Sequence, residues 1–534
     1  MAIPQSGSPP GYFRTADLFS ALSLAADLAI GVSDEHAVRS CYIAMRIADA
    51  LRLSPEERAD LYYAELLMDA GCTAWTSQMA AFVAGDEIVA RREMVFFTDS
   101  RNPVEQFNWM REYVAVGAPA PTRARRMLGA ALHGQEFTRE GMRNTCEVAQ
   151  HFARRLGMPE TVQAALLSIY EQWDGSGPLG NRGEAIPIIS RIVYMTSFLE
   201  AFHHLGGPAA AIRLARQRQG SAFDPAVVEA FLASSADRDF WAGLEQESVW
   251  ATVMALEPDS PYCFLPEARL DDVALAFADF ADLKAPHLTG HSRRVADLAE
   301  RVARRMALPE SEITTIRRAA LMHDLGLVAV PSFTLEKPTE RLTPAEWERV
   351  RLHPYYAERI LSRVPALAPF VPLVAAHHEC PDGRGYHRGL TLAQIPTGAR
   401  IIAVADRFDD YTHDLPGQPA IEEGAALTQL GEVAGHGVCA DTFRALTQVL
   451  AEDDPQPTSL HRRRRQQEWP AGLTDREVEA LRLLAQGLSR RQVADALFLS
   501  EHTVRHHLEH IYNKVGVSTR VAAILFAVEH GLLR

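Results

Sequence analysis

Apolar residues recur every three or four positions through most of the chain, and runs that alternate apolar with polar are scarce. That period predicts helices almost throughout and an all-α fold. Two stretches break it. Residues Glu257 to Tyr262 carry two prolines with Asp and Ser, a turn-rich connection. Residues Glu452 to Ser459 combine acids, prolines and small polar residues, and the basic run Arg462 to Arg465 follows. That composition predicts an exposed linker. The breaks divide the chain into 1–256, 257–452, a linker at 453–468 and a tail at 469–534.

The first two segments are related. Thirty-three residues separate His291 from Asp324, in a stretch ending Leu321-Met-His-Asp-Leu-Gly326. Thirty-three also separate His36 from Asp69, in a stretch ending Leu66-Leu-Met-Asp-Ala-Gly71. Asp174-Gly-Ser-Gly177 echoes Asp382-Gly-Arg-Gly385, and each is followed by an Ile-Pro pair and an arginine, Arg191 or Arg400. Two tandem helical units of one type are expected, the first enlarged by an insertion between Asp69 and Asp174.

Composition adds boundaries rather than identity. A length of 534 residues suggests three or four domains, and 47% hydrophobic with 23% charged residues suits a folded chain. The net charge of −14 argues against indiscriminate binding to nucleic acid, yet residues 456–534 hold 12 Lys/Arg against 8 Asp/Glu. A basic tail on an acidic body points to an anionic partner for the tail. Six scattered cysteines without a CxxC pair suit a reducing compartment, and the start of the chain has neither a basic n-region nor an apolar run. The expectation is a cytoplasmic protein with no membrane partner.

The second unit concentrates the chemistry. His291 shares a helical face with Val295, Leu298 and Val302, and His323 lies in line with Ile316 and Ala320. His377 and His378 close an apolar helical run, and Asp406 follows Ile402 by one turn. A single histidine on an apolar face is most often a satisfied core residue. Seven together, counting Asp324 and His353, would be expensive to bury without a common partner. One or two divalent metals would satisfy them, and iron, manganese, zinc and nickel all suit this donor set.

These residues resemble the HD-domain phosphohydrolases, and within them the HD-GYP branch. The resemblance rests on Gly290-His-Ser292, His323-Asp-Leu-Gly326, Lys337-Pro338, Glu346-Trp347, His353, His377-His-Glu379, Asp382-Gly-Arg-Gly-Tyr386, Ile395-Pro396 and Val404-Ala-Asp406 with Asp409. It implies two metals bridged by Asp324, with His291, His323 and Asp406 completing one site and His353, His377 and His378 the other. Asp324 and His323 would be the catalytic pair. The implied reaction is phosphoester hydrolysis on a nucleotide or other phosphoester, with cyclic di-GMP the best-known substrate of the family. Arg384, Arg388 and Arg400 are candidate phosphate contacts, and His287 is a candidate extra ligand one turn before His291.

Some positions depart from the family. Leu327 stands where a phosphate-holding lysine is usual, His387 replaces the proline of the GYP triplet, and Leu415-Pro-Gly-Gln418 lies near the place of a missing Arg-Pro-Tyr-Arg stretch. An inactive domain that senses a nucleotide or metal is therefore the alternative expectation. In the first unit Met68 replaces the HD histidine, Ile169 and Tyr170 fall at the His pair, and Ser197 replaces the last aspartate. It is expected to hold no metal and to serve as scaffold, dimerisation surface or sensor.

The tail has its own pattern. Thr474 and Glu477 form a capping box, Gly487 ends that helix, and Ser489 and Ser500 cap two more. Short helices joined by tight turns fit a helix-turn-helix. On the third helix Val504, Leu508 and Ile511 face inward, while Thr503, Arg505, His506, His507 and Lys514 offer donors. The module resembles the LuxR-type DNA-binding domain through Leu473-Thr474, Arg476-Glu477, Ala485-Gln-Gly487, Leu499-Ser500, Thr503-Val504, His507, Lys514 and Gly516-Val517. The resemblance implies contacts to double-stranded DNA from Ser500, Thr503, Val504, Arg505, His507 and Lys514, and a homodimer formed through the last helix. The chain as a whole is expected to be a transcription regulator whose input is the HD-GYP-like region.

Overall fold

A computed structural model describes residue 9 and residues 11–99, 101–246, 248–453 and 469–533. The basic run Arg462 to Arg465 and most of the expected linker lie outside the described residues. Helices dominate, as the apolar period requires. The one β ladder among the described residues pairs Tyr12–Arg14 with Phe264–Pro266. No single described helix is long and apolar enough to cross a membrane.

The chain divides into two compact units. The first runs to Ala276 and takes in Pro331–Phe333; the second holds Phe277–Val330 and everything from Thr334 onward. The first unit thus continues past the turn at 257–262, because Phe264–Pro266 is the partner of the strand near the chain start.

In the second unit the helix His291–Arg305 packs against Glu310–Met322 and Thr397–Thr412. Val295, Ala299 and Val302 on its inner face are fully buried. Glu310–Met322 runs into His323, and a tight 3-10 turn, Leu325–Ala329, follows. That turn packs on the helix His353–Leu361. Gly326 makes the contact possible: a Cβ there would lie 1.9 Å from the His353 carbonyl oxygen. Leu327, the departure from the family lysine, is buried with Ala285, Leu288 and Val330, so this position serves packing.

The first unit repeats that clasp. A Cβ on Gly71 would lie 1.9 Å from the carbonyl oxygen of Thr145, on the helix Ala120–Arg155. Thr145 therefore occupies the place of His353. The interval from Gly71 to Thr145 exceeds that from Gly326 to His353 by as many residues as Asp69–Asp174 exceeds Asp324–Asp382. The whole insertion lies between Gly71 and Thr145, and it forms the helices Thr76–Val83, Glu87–Arg92 and Pro103–Tyr113 with much of Ala120–Arg155.

The tail folds as four helices, Asp475–Ala485, Arg490–Leu497, Glu501–Val515 and Arg520–Glu529, around Val478, Leu481, Leu484, Val493, Val504, Leu508 and Ile511. Both expected caps on the first two helices form reciprocal boxes, Thr474 with Glu477 and Ser489 with Gln492. Gly487 takes a φ of 86°, the left-handed turn that closes the first helix.

Candidate metal centre

Four helix ends and one helix face bring the expected ligands of the second unit together. His323 and His353 flank the Gly326 clasp, His377 follows the short helix Val371–Val374, and Asp406 points from the middle of Thr397–Thr412. His291 opens its own helix. Ligand atoms of Asp324, His353, His377 and His378 all lie within 4.8 Å of one another, and so do those of His291, His323 and Asp324. Asp324 belongs to both groups. A third group joins His291, Asp406 and Asp410.

The hydrogen bonds around the rings fix which nitrogen faces inward. Nδ1 of His323 donates to the Ala320 carbonyl, Nδ1 of His353 to that of Val350 and Nδ1 of His377 to that of Val374, at 2.7, 2.7 and 2.6 Å. Each bond reaches back three residues within the same turn. A carbonyl can only accept, so each Nδ1 carries its proton and Nε2 is presented to the centre. His291 is oriented instead by a side chain, its Nδ1 lying 2.7 Å from Asp409, which Arg294 also holds through two bonds of 2.8 and 2.9 Å.

This donor set fits divalent metal. Nε2 of His323 is buried without a hydrogen-bond partner. It lies 3.5 Å from Asp324 and 3.6 Å from Asp406. Nε2 of His353 and Nε2 of His377 approach to 3.1 Å. As neutral rings they would confront each other with lone pairs, an arrangement that a shared cation resolves.

The charges within the cluster compensate one another, with Asp324 and Asp406 also taking His323 up to about 9 against its burial. Burial would lower His291, but hydrogen bonds to Asp406 and Asp409 outweigh it and hold the ring well above the usual histidine range. Burial also opposes ionisation of Asp324, but the neighbouring His323 and His353 hold its carboxyl below the ordinary value. Burial, together with the other imidazoles, lowers His377 and takes His378 to about 3, so both stay neutral and able to ligate. His287 is lowered to about 4 by burial and by His291, but it belongs to none of the three ligand groups.

The expected substrate arginines are not gathered at the cluster. Arg400 donates to the carbonyls of Ile395 and Leu392 at 2.8 and 2.7 Å, so its guanidinium secures the loop before its own helix. Arg388 is paired with Glu358, and Arg384 is 89% exposed beside Asp382. Two groups that sequence reasoning passed over stand closer. The Tyr386 ring stacks on His378 at 4.7 Å, and the Arg351 guanidinium lies 5.5 Å over the Tyr386 ring. Asp410, one turn after Asp406 on the same helix, is the ligand candidate that the i, i+4 spacing could have disclosed.

In the first unit the equivalent place has different chemistry. His36 is fully buried, its Nδ1 paired with Glu200 and its Nε2 3.1 Å from the Ser197 hydroxyl. Glu200 stands to Ser197 as Asp409 stands to Asp406. The buried Arg91 guanidinium donates to the carbonyls of Cys72 and Ala29. None of the described groups with metal-binding geometry falls in this unit.

On the tail, the helix Glu501–Val515 presents Arg505 to solvent, and Ser500 caps it through the Thr503 amide at 3.1 Å. Two expected DNA contacts are placed otherwise. Val504 is fully buried in the core of the module. Nζ of Lys514 donates to Glu477 at 2.7 Å and to the Gly472 carbonyl at 3.0 Å, so its charge ties the third helix to the first.

Comparison with known proteins agrees with both halves. The HD-domain family model matches residues 276–438, and the model for bacterial regulatory proteins of the luxR family matches 471–527. The chain is 31% identical over 439 residues to the 3′3′-cGAMP-specific phosphodiesterase 3 of Vibrio cholerae, covering 82% of this chain and 95% of that one. The chain belongs to the HD-GYP branch of the HD-domain family. The crystal structure of the cyclic GMP-AMP-specific phosphodiesterase V-cGAP3 of V. cholerae superposes with a TM-score of 0.57 at 28% identity, over 83% of this chain and 98% of that one. A cyclic di-GMP phosphodiesterase of Thermotoga maritima is 38% identical over 146 residues, 26% of this chain and 39% of that one. For the tail, the DNA-binding transcriptional activator DevR/DosR of Mycobacterium tuberculosis is 30% identical over 177 residues, 32% of this chain and 77% of that one. This HD-GYP protein therefore joins a phosphodiesterase-like domain to a LuxR-type helix-turn-helix.

Proposed function

We propose that the second unit is a metal-dependent phosphodiesterase acting on a cyclic dinucleotide, and that the tail binds double-stranded DNA as the output of a cytoplasmic, homodimeric transcription regulator. The observation that carries the enzymatic reading is the buried, unpartnered Nε2 of His323, set in a ring of imidazoles and carboxylates shared through Asp324. His291, His323, Asp324 and Asp406 would hold one metal, and Asp324, His353, His377 and His378 a second. Metals so bound supply Lewis acidity toward phosphoryl oxygens and activate water at neutral pH.

The side chains around the ligands do the positioning. Asp409 orients His291, and the Ala320, Val350 and Val374 carbonyls orient His323, His353 and His377, so each ring is held before substrate arrives. Burial, with Asp406 and Asp324 nearby, raises Tyr386 well above the ordinary tyrosine value, so its hydroxyl keeps its proton. A protonated hydroxyl beside His378 is a donor to a phosphoryl oxygen. The Arg351 guanidinium, 5.5 Å over the same ring, would supply a positive charge that Leu327 does not provide. The relatives named above act on cyclic GMP-AMP and cyclic di-GMP, which supports this substrate class.

The test is turnover of 3′3′-cyclic GMP-AMP and cyclic di-GMP by full-length protein loaded with manganese or iron. Linear dinucleotide should appear, and Asp324→Asn should abolish it. Metal-loaded protein that binds either nucleotide without cleaving it would replace this reading with that of a sensor.

A further inference from the structure

The insertion that separates Gly71 from Thr145 does more than lengthen the first unit. With the helical stretch Ile188–Arg218, which is broken at Gly206 and Gly207, it lines a cavity of about 750 Å³, within the range of roughly 300–1,000 Å³ typical of small-molecule sites. Trp109 and Arg139 reach this cavity from the inserted segment, and Phe198 and Arg218 from the two sides of the break at Gly206 and Gly207. Tyr170 and Tyr194 line both this cavity and a smaller one that holds Asp69 and Ser197, remnants of the lost metal centre. The cavity therefore opens beside the first unit's own counterpart of the metal centre.

Its chemistry is specific. One wall is aromatic, with the rings of Tyr194 and Phe198 5.0 Å apart and those of Phe97 and Phe202 5.5 Å apart. Two cations on the lining have no carboxylate partner among the described residues. The Arg218 guanidinium rests 4.7 Å over the Phe198 ring, and Arg139 makes no ion pair. The carboxylates on the lining, Asp99 and Glu105, are held by amide donors and not by Arg139 or Arg218. Asp99 accepts from the Arg101 amide, and Glu105 accepts from the Asp99 amide and from Asn102. Flat rings with unneutralised guanidinium groups beside them match a ligand that has a planar base and a phosphate.

We propose that this cavity is a second nucleotide site, binding a purine nucleotide without hydrolysing it. The site stands on the first unit alone and does not depend on the function assigned to the metal centre. Where that centre has kept its ligands and could cleave, this unit keeps only His36 and Asp69 of them and would serve recognition alone.

Calorimetric titration of the full-length, metal-loaded protein with GMP, ATP and 3′3′-cyclic GMP-AMP tests this. At least one probe should fill a site of one per chain that survives Asp324→Asn. Its Kd should rise at least tenfold in the pair Arg139→Gln with Arg218→Gln. The same loss should follow Ala131→Trp, which fills the cavity from an exposed position on its helix and leaves both arginines in place. Turnover of bis(4-nitrophenyl) phosphate should be unchanged in all these cavity variants. The proposal is overturned if no probe binds outside the metal centre, if all binding disappears with Asp324→Asn, or if neither cavity variant weakens it. Binding that responds to the cavity variants in a protein without turnover would overturn only the enzymatic reading.

Discussion

Nδ1 of His291 lies 2.7 Å from the carboxylate of Asp409, and Arg294 donates to both oxygens of that carboxylate. A charged partner on the outer nitrogen fixes the ring and raises the basicity of the inner one. Asp409→Asn keeps the shape and weakens that hold, so metal affinity should fall by about 10- to 100-fold. Metal titration followed by elemental analysis measures this. Unchanged affinity would show that His291 is oriented by packing alone.

Removing metal should cost the second unit stability. The ligand cluster is largely buried, and a ligand bound only by the folded state stabilises it by about 2.7 kcal/mol at one hundred times its Kd. Chelation should therefore lower the thermal midpoint of that unit, with recovery on adding manganese. The Asp324→Asn protein should show little response to either treatment.

The first unit should lose stability as pH rises. Burial pushes Glu65 up to about 8, although the Thr196 hydroxyl donates to it at 2.6 Å. Burial alone would lower His36, but Glu200 outweighs it and takes the ring up to about 9. Both folded values exceed the unfolded ones, so the folded state binds more protons. Stability falls between about pH 4.5 and 8 through Glu65, and between about 6.5 and 9 through His36, by at most about 1.4 kcal/mol per pH unit for each group. In Glu65→Gln the decline below pH 8 should be shallower, as denaturant melts across that range would record.

On the tail, Arg505 and Lys514 should separate. Arg505 is exposed on the third helix, and Arg505→Ala should weaken specific DNA binding by about 1–3 kcal/mol, or lower the salt dependence if it meets phosphate. Lys514→Ala removes the tie to Glu477 and should lower the melting temperature of the module. Gel shifts at two salt concentrations, paired with thermal melts, distinguish the two outcomes.

Much of this was legible because the signals are local. The capping boxes at Thr474 and Ser489 depend on residues three apart, and the inward face of His291 on helical period, so sequence spacing reports both directly. The partners of Arg400 and Lys514 were not legible, because a long cationic side chain has many within reach. The choice of the Leu392 carbonyl or of Glu477 depends on how distant segments fold back. Val504 has a simpler cause, since a residue inside a DNA-reading motif can serve its core. Thr145 could not be matched to His353 from spacing at all, because the insertion hides the interval and only the contact with Gly71 restores it.

The clasp at Gly326 and its counterpart at Gly71 carry a wider consequence. Any side chain at either position would drive a neighbouring backbone away, so an alanine scan would score Gly326 as though it took part in the reaction while it touches no reactant. The same joint persists at Gly71, where most of the ligands are gone. Architecture and reactivity are thus separable inheritances in this chain, since the joint outlasts the chemistry it once framed.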